Sequence, residues 1–261
     1  MILDTLADVS RQRVTEDKKK ISYFTLRAEA EALPKDRAGI FRNALAGEGL
    51  HFITEVKKAS PSKGLIAPDF PYVPIAKQYE AAGASAISVL TEPKYFLGSD
   101  AYLQEIRQNV QIPLLRKDFT VDEYQVVQAK VLGADSVLLL CAILSDSQLQ
   151  EYRLLAESLG LDALVEAHDE QEVERALRSG ARVVGVNNRN LKDFTVDIHN
   201  SMNLRQLVPP EILFVAESGI RTRQQTAELE QAGVNGVLIG ETLMRSGNMK
   251  AKLAELRGRA L

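Results

Sequence analysis

From residue 50 onward the chain alternates between two hydrophobic rhythms. Short, nearly continuous apolar runs fall at Phe52–Lys57, Ala86–Leu90, Ile112–Arg116, Ser136–Leu140, Ala163–Val165, Val183–Val186, Ile212–Ala216 and Gly236–Ile239. Between them lie Pro74–Ala82, Tyr102–Asn109, Asp122–Leu132, Asp146–Leu159, Glu170–Arg178, Met202–Leu207 and Thr222–Gln231, whose apolar residues recur at helical spacing. Strands buried on both faces read as unbroken apolar runs, and strands separated by helices pair in parallel. Eight such units predict a closed (β/α)8 TIM barrel.

Residues 1–48 come before any strand signal. They read as helices over Ile2 to about Lys19, Tyr23–Leu33 and Ile40–Leu45, with Ser22 as N-cap of the second and Pro34 ending it. This stretch is too short for a core of its own, so 1–48 is expected to be an N-terminal helical extension of a single domain spanning 1–261.

The barrel carries an internal echo. Gly83-Ala84-Ser85-Ala86, Gly133-Ala134-Asp135-Ser136, Gly180-Ala181-Arg182-Val183 and Gly233-Val234-Asn235-Gly236 recur at intervals of about fifty residues, each leading into an even-numbered strand. Even and odd strands fill alternate layers of a barrel, so a two-unit repeat is physically sensible. The alternative, an open doubly wound sheet, needs a G-x-G-x-x-G turn after its first strand, and none occurs there.

Composition narrows the function. A hydrophobic share of 45% supports a sizeable core, and a net charge of −3 offers no field for nucleic acid or a membrane surface. No stretch approaches the roughly 18 apolar residues of a membrane span, and Met1 to Lys20 lacks the apolar centre of a secretion signal. A cytoplasmic location is expected. Cys141 is the one cysteine, and His51, His168 and His199 show no metal-ligand spacing, so neither metal nor cofactor is expected. Cys141 reads as a small core hydrophobe and His168 as a near-surface residue.

Chemistry in such barrels gathers at the C-terminal strand ends. There the chain places Glu55 and Lys57, Glu92, Lys117, Cys141, Glu166, Asn187 and Arg189, Glu217 and Ser218, and Gly240. Ile53, Glu55 and Lys57 share one face of the first strand, so acid and amine follow a hydrophobic residue into the barrel mouth. Lysines and carboxylates converging on one mouth must pair or shift their proton affinities, which suits proton transfer on an anionic substrate. Glycines immediately after the seventh and eighth strands, Gly219 and Gly240, mark the usual phosphate position of this fold. Ser60 or Ser62 can add a hydroxyl. A carboxylate at Glu241 repels a phosphate unless it points outward, which leaves Gly240 as the expected contact.

The motifs in order are Glu55-Val56-Lys57-Lys58-Ala59-Ser60-Pro61-Ser62, Leu90-Thr91-Glu92, Tyr95-Phe96-Leu97-Gly98, Leu114-Leu115-Arg116-Lys117-Asp118-Phe119, Leu164-Val165-Glu166, Gly185-Val186-Asn187-Asn188-Arg189-Asn190-Leu191, Ala216-Glu217-Ser218-Gly219-Ile220 and Ile239-Gly240-Glu241. Together they resemble the indole-3-glycerol phosphate synthase family of tryptophan biosynthesis, across essentially the whole chain. The resemblance implies a carboxy-lyase acting on 1-(2-carboxyphenylamino)-1-deoxyribulose 5-phosphate, a phosphorylated small molecule, in a monomer or weak homodimer. It implies Lys117 as general acid and Glu166 as general base. Lys57 matches a residue that meets the substrate carboxylate or the departing hydroxyl. Glu55, Asn187, Arg189 and Ser218 match positions that orient substrate and lysines, and Glu217 a further pocket carboxylate. Phe96 and Phe119 match walls of the aromatic pocket, and Ser60, Leu191, Gly219 and Gly240 further substrate contacts. A neighbouring barrel such as phosphoribosylanthranilate isomerase needs one acid and one base but no lysine pair, so Lys57 with Lys117 argues against it.

Overall fold

A computed structural model describes residues 2–190 and 193–258. Among them, β1 (His51–Val56), β2 (Ala86–Leu90), β3 (Leu114–Lys117), β4 (Ser136–Leu140), β5 (Asp162–Ala167), β6 (Val183–Asn187), β7 (Leu213–Glu217) and β8 (Gly236–Ile239) pair in parallel with their sequence neighbours. β8 pairs back onto β1, so the sheet is a closed eight-stranded barrel. β3 starts at Leu114 rather than Ile112 because Pro113 has no N–H to give to a ladder. β3, β5, β6 and β7 each run on to or past a polar residue that ends the apolar run: Lys117, Glu166, Asn187 and Glu217. Ladder bonds are made by backbone, and a charged side chain at the last rung does not break them.

The helices follow the predicted order. α1 (Ile2–Lys20), α2 (Tyr23–Ala32) and α3 (Ile40–Asn43) form the extension, and Ser22 caps α2 by accepting from Thr25 N. α4 (Tyr72–Ala81), α5 (Asp100–Arg107), α6 (Glu123–Val131), α7 (Asp146–Ser158), α8 (Glu170–Arg178), α9 (His199–Arg205) and α10 (Arg223–Gln231) alternate with the strands. α4 begins ahead of Pro74, which sits in its first turn, where a missing N–H breaks no helical bond. After β8 come the short α11 (Glu241–Met244), which opens at Gly240, and α12 (Met249–Leu256), capped by Asn248, which lies beyond the predicted pattern.

Strand side chains divide into two cores. Phe52, Val89, Leu139 and Val165 face outward into the layer shared with the helices. Ile53, Leu115, Leu138, Leu164, Val215 and Leu238 fill the axis, joined by Phe41 and Leu45 from the α3 region, which close the bottom. There the backbone N of Arg42 donates to Asp162 at the start of β5, at 2.9 Å. At the opposite end, Arg13 of α1 holds both oxygens of Asp118, just past β3, at 2.7 Å. The extension therefore runs from one mouth of the barrel to the other.

The repeat of about fifty residues has a structural counterpart. Each repeat glycine has φ between 81° and 85° and lies against an arginine from another helix. Arg153 donates to Ser179 O at 2.6 Å beside Gly180, Arg205 to Gly233 O at 2.7 Å, and Arg257 to Ala82 O at 2.9 Å beside Gly83. Arg107 lays its aliphatic stem on Gly133 and donates to Asp135 at 2.9 Å. The left-handed backbone disfavours a Cβ at all four turns, and at Gly83, Gly133 and Gly180 the arginine above crowds it as well.

Candidate active site

Lys117 ends β3 and points inward, as Glu55 does from β1, Glu166 from β5 and Glu217 from β7. Alternate strands of a barrel contribute to one interior layer, and here the odd strands build a layer that is entirely ionisable. The strands beside them supply small or apolar residues: Ser88 is level with Glu55, and Gly185 with Glu166. Glycine leaves room for a carboxylate on two of these walls. A Cβ at Gly185 would stand 2.5 Å from the Glu217 carboxylate, and one at Gly240 would run into Glu55.

Lys117 Nζ lies 3.0 Å from Oε2 of Glu166 and also bonds Oε2 of Glu217. Burial opposes its charge, but Glu166, Glu217 and Glu55 outweigh burial and hold its pKa well above the ordinary lysine value. The two carboxylates diverge. Burial favours the neutral acid at Glu166, yet Lys117 and His168 prevail and hold it well below the usual range. At Glu217, burial is only partly offset by Lys117 and is reinforced by Glu166 and Glu55, so its pKa is pushed up to about 7. Environments that separate two carboxylates in this way separate acid from base. Asn187 Nδ2 donates to Oε1 of Glu166 at 3.1 Å, and Lys57 is ion-paired with Glu55.

The cleft above this layer collects nearly all of the residues singled out from the sequence. Glu55, Lys57, Ser60, Phe96, Lys117, Phe119, Glu166, Asn187, Arg189, Glu217, Ser218, Gly219 and Gly240 all line it, while Leu191 lies outside the described residues. Phe96 and Phe119 stand 6.0 Å apart across the mouth. Ser60 belongs to a two-rung hairpin, Ala59–Ser60 against Gly64–Leu65, that brings Ser62 to the cleft. Ser218 and Gly219 both have positive φ, 69° and 81°, so the turn after β7 is built on two left-handed residues in a row. For Ser218 that conformation is a local strain of the kind that gathers at functional sites. Asp118 turns away from Lys117 and pairs with Arg13.

Two strand-end residues do not line the cleft. Glu92 is buried and accepts from the backbone N of Lys94, Tyr95 and Phe96, so it shapes the turn that presents Phe96. Cys141 is a buried thiol pushed up to about 12 by burial, which makes it inert. Glu241 pairs with Arg245 at 3.3 Å and, more loosely, with Lys63 at 3.9 Å. The sequence reading missed Leu3 and Leu6 of α1, which roof the cleft, and Leu138 and Leu140, which floor it. It also gave His168 no role, although its Nε2 is 3.4 Å from Oε1 of Glu166.

Comparison with known proteins agrees with this geometry. Residues 3–256 match the family model of indole-3-glycerol phosphate synthase. Relatives carrying that name include one from Ruminiclostridium cellulolyticum, 56% identical over 260 residues and covering 100% of both chains. Another, from Endomicrobium trichonymphae, is 53% identical and covers 98% of this chain and 100% of its own. Among solved structures, a chain of the tryptophan synthase α2β2 complex from Pyrococcus furiosus superimposes with a TM-score of 0.58 at 14% identity, covering 81% of this chain and 98% of its own. A thiamine phosphate pyrophosphorylase from Pyrococcus furiosus gives 0.59 at 19% identity, covering 83% and 96%. At such identities these structures speak for the fold alone.

Proposed function

This chain belongs to the indole-3-glycerol phosphate synthase family, and we propose from that premise how its cleft divides the chemistry. The reaction converts 1-(2-carboxyphenylamino)-1-deoxyribulose 5-phosphate to indole-3-glycerol phosphate, carbon dioxide and water. Lys117 is the general acid that protonates the substrate carbonyl as the aromatic carbon attacks it. Glu166 is the general base that takes up a proton after decarboxylation, as the hydroxyl leaves. Positioned acids and bases typically contribute about 10²–10⁴-fold each.

The observation that carries this reading is the seat of Lys117 between Glu166 and Glu217. Its charge is secured at rest, and a carboxylate lies in reach on either side when the proton leaves. Lys57, steadied by Glu55, holds the substrate carboxylate or protonates the departing hydroxyl. Asn187 orients Glu166. Ser60, Gly219 and Gly240 receive the phosphate end, Arg189 and Ser218 orient the substrate, and Phe96 and Phe119 flank the aromatic ring. The partner is a phosphorylated small molecule, and the chain works as a monomer or weak homodimer.

The chain contains no tryptophan, so an indole product is read as fluorescence over a low background. Turnover by the native chain is expected, with Lys117→Ala and Glu166→Gln both inactive yet folded. An active Lys117→Ala would overturn the assignment of the acid.

A further inference from the structure

Lys117 contacts two carboxylates and does not by itself choose between them. The choice lies on the far side of Glu166. Its Oε2 faces Lys117, whereas Oε1 faces Asn187 at 3.1 Å and the His168 ring at 3.4 Å. Among the described residues, Oε1 of Glu217 and Nε2 of His168 are both buried without a hydrogen bond, but Nε2 stands at ion-pair distance from Glu166. The His168 ring is in turn held from behind: Nδ1 is 3.0 Å from Oε2 of Glu172, and the same oxygen accepts from His168 N at 2.9 Å. Glu172 is fixed in α8 by Asp169, whose side chain accepts from Glu172 N at 2.9 Å.

We propose that His168, gripped by Glu172, is the positioning residue that makes Glu166 rather than Glu217 the ionised partner of Lys117, and hence the base. This rests on the reading of Glu166 as base given above. The need for it arises in the reaction itself. Once Lys117 gives its proton to the substrate oxygen it is a neutral amine, and a buried carboxylate beside Glu217 and Glu55 is left without the cation that kept it ionised. An imidazolium against Oε1 keeps Glu166 charged, and keeps it facing the substrate, through that interval.

The surroundings favour the imidazolium. Burial disfavours its charge, but Glu166 and Glu172 outweigh burial and raise the His168 pKa to about 10. The groups facing this pair from other elements are Lys117 on β3, Glu55 on β1, Glu217 on β7, Cys141 after β4 and Arg175 on α8. Arg175 spends its donors on Asp146, Cys141 O and Leu144 O, and so does not compete for Glu172. The proton Glu166 removes from the substrate can pass to the neutral Lys117 amine 3.0 Å away, which resets that pair without any proton passing to His168. The proton that leaves with the hydroxyl as water is replaced from solvent, because loss of an ionised carboxylate as carbon dioxide consumes one proton overall.

Two measurements test this. Nitrogen NMR of histidine-labelled native enzyme, with His168 assigned by elimination using His51→Gln and His199→Gln, is expected to show both ring nitrogens protonated up to about pH 8.5. A neutral ring at pH 7.5 overturns the proposal. In the pH profile of kcat/KM, His168→Gln is expected to move the acid limb upward by about one unit or more, with activity regained on the alkaline side of that limb and KM there changed less than about threefold. Glu172→Gln should shift the limb in the same direction by less. An unchanged profile, or a loss independent of pH, overturns the proposal. Glu166→Gln separates the two readings. Activity in that variant overturns the base assignment, whereas an inactive Glu166→Gln beside an unshifted His168→Gln overturns this proposal alone.

Discussion

Gly185 on β6 leaves the space that the Glu217 carboxylate on β7 fills, since a Cβ there would lie 2.5 Å from Oε1. The atom in the way is the tip of a flexible side chain, so Gly185→Ala is expected to fold with Glu217 displaced from Lys117. A misplacement of about 1 Å at a reacting centre costs about 10²-fold. We therefore expect kcat to fall by roughly that factor, with the melting temperature within a few degrees of native. Gly98 is the contrast: its Cβ would meet the Leu90 backbone, which cannot yield, so Gly98→Ala should lower stability first. A Gly185→Ala enzyme with native kcat would show that Glu217 need not stay where it is.

Arg257 closes the ring of repeats, joining α12 to the turn at Gly83 and lying over the Phe52 ring at 5.1 Å. A hydrogen bond from a charged donor is worth about 1.5–3 kcal/mol. Arg257→Ala is expected to lower the free energy of unfolding in urea by about 2 kcal/mol and to leave kcat at 25 °C unchanged. Arg153→Ala, at the equivalent position on α7, should cost at least as much because Arg153 is more buried. Equal stability in native and variant would reduce the repeat to coincidence.

The sequence was legible where burial is symmetrical and less so where a residue's partner is remote. Eight strands could be read because a strand covered on both faces must be apolar throughout, and four of the runs stopped short of the strand end at a polar residue: Lys117, Glu166, Asn187 and Glu217. Glu92 looks the same in sequence as Glu166, a carboxylate just past an aliphatic run. One caps its own turn and the other faces a lysine, and only the closed barrel tells them apart. Leu3 and Leu6 read as ordinary packing positions because nothing nearby in sequence shows that α1 crosses the mouth. His168 stayed silent for the same reason: its meaning comes from Glu172 folding back onto it.

Arg13 ties the roof to the barrel. Its bidentate pairing with Asp118 is backed by Thr91, which donates to Asp118 at 2.5 Å, and by Arg116 at 3.6 Å. Burial alone would raise the Asp118 pKa, but Arg13 and Arg116 outweigh it and hold the carboxyl below the ordinary aspartate range. A depressed folded pKa gives stability that is present above the unfolded value and lost as pH falls through the folded one. Arg13→Ala is therefore expected to lose stability at pH 7 and to show a weaker decline below about pH 4 than the native chain. Loosening α1 should also raise KM more than it lowers kcat, because Leu3 and Leu6 bind rather than react. Acid titrations that superimpose would rule out the pair as the source of the acid sensitivity.

Glu241 sits at the turn proposed to receive the phosphate, where a second negative charge is unfavourable. Its carboxylate is occupied by Arg245 and, at 3.9 Å, by Lys63 of the hairpin after β1. Glu241 lines the cleft, and these partly exposed pairs neutralise its carboxylate only in part, so the residual repulsion toward a phosphate there is about 1 kcal/mol. Removing the charge also frees Lys63, which then has the phosphate as its nearest available anion. Both effects have the same sign. Glu241→Gln is therefore expected to tighten inhibition by inorganic phosphate about fivefold and to lower KM by a similar factor, with kcat unchanged. The gain should vanish in the Glu241→Gln, Lys63→Ala double variant to the extent that Lys63 supplies it. Weaker phosphate binding in the single variant would mean instead that Glu241 serves the phosphate by holding Lys63 in place.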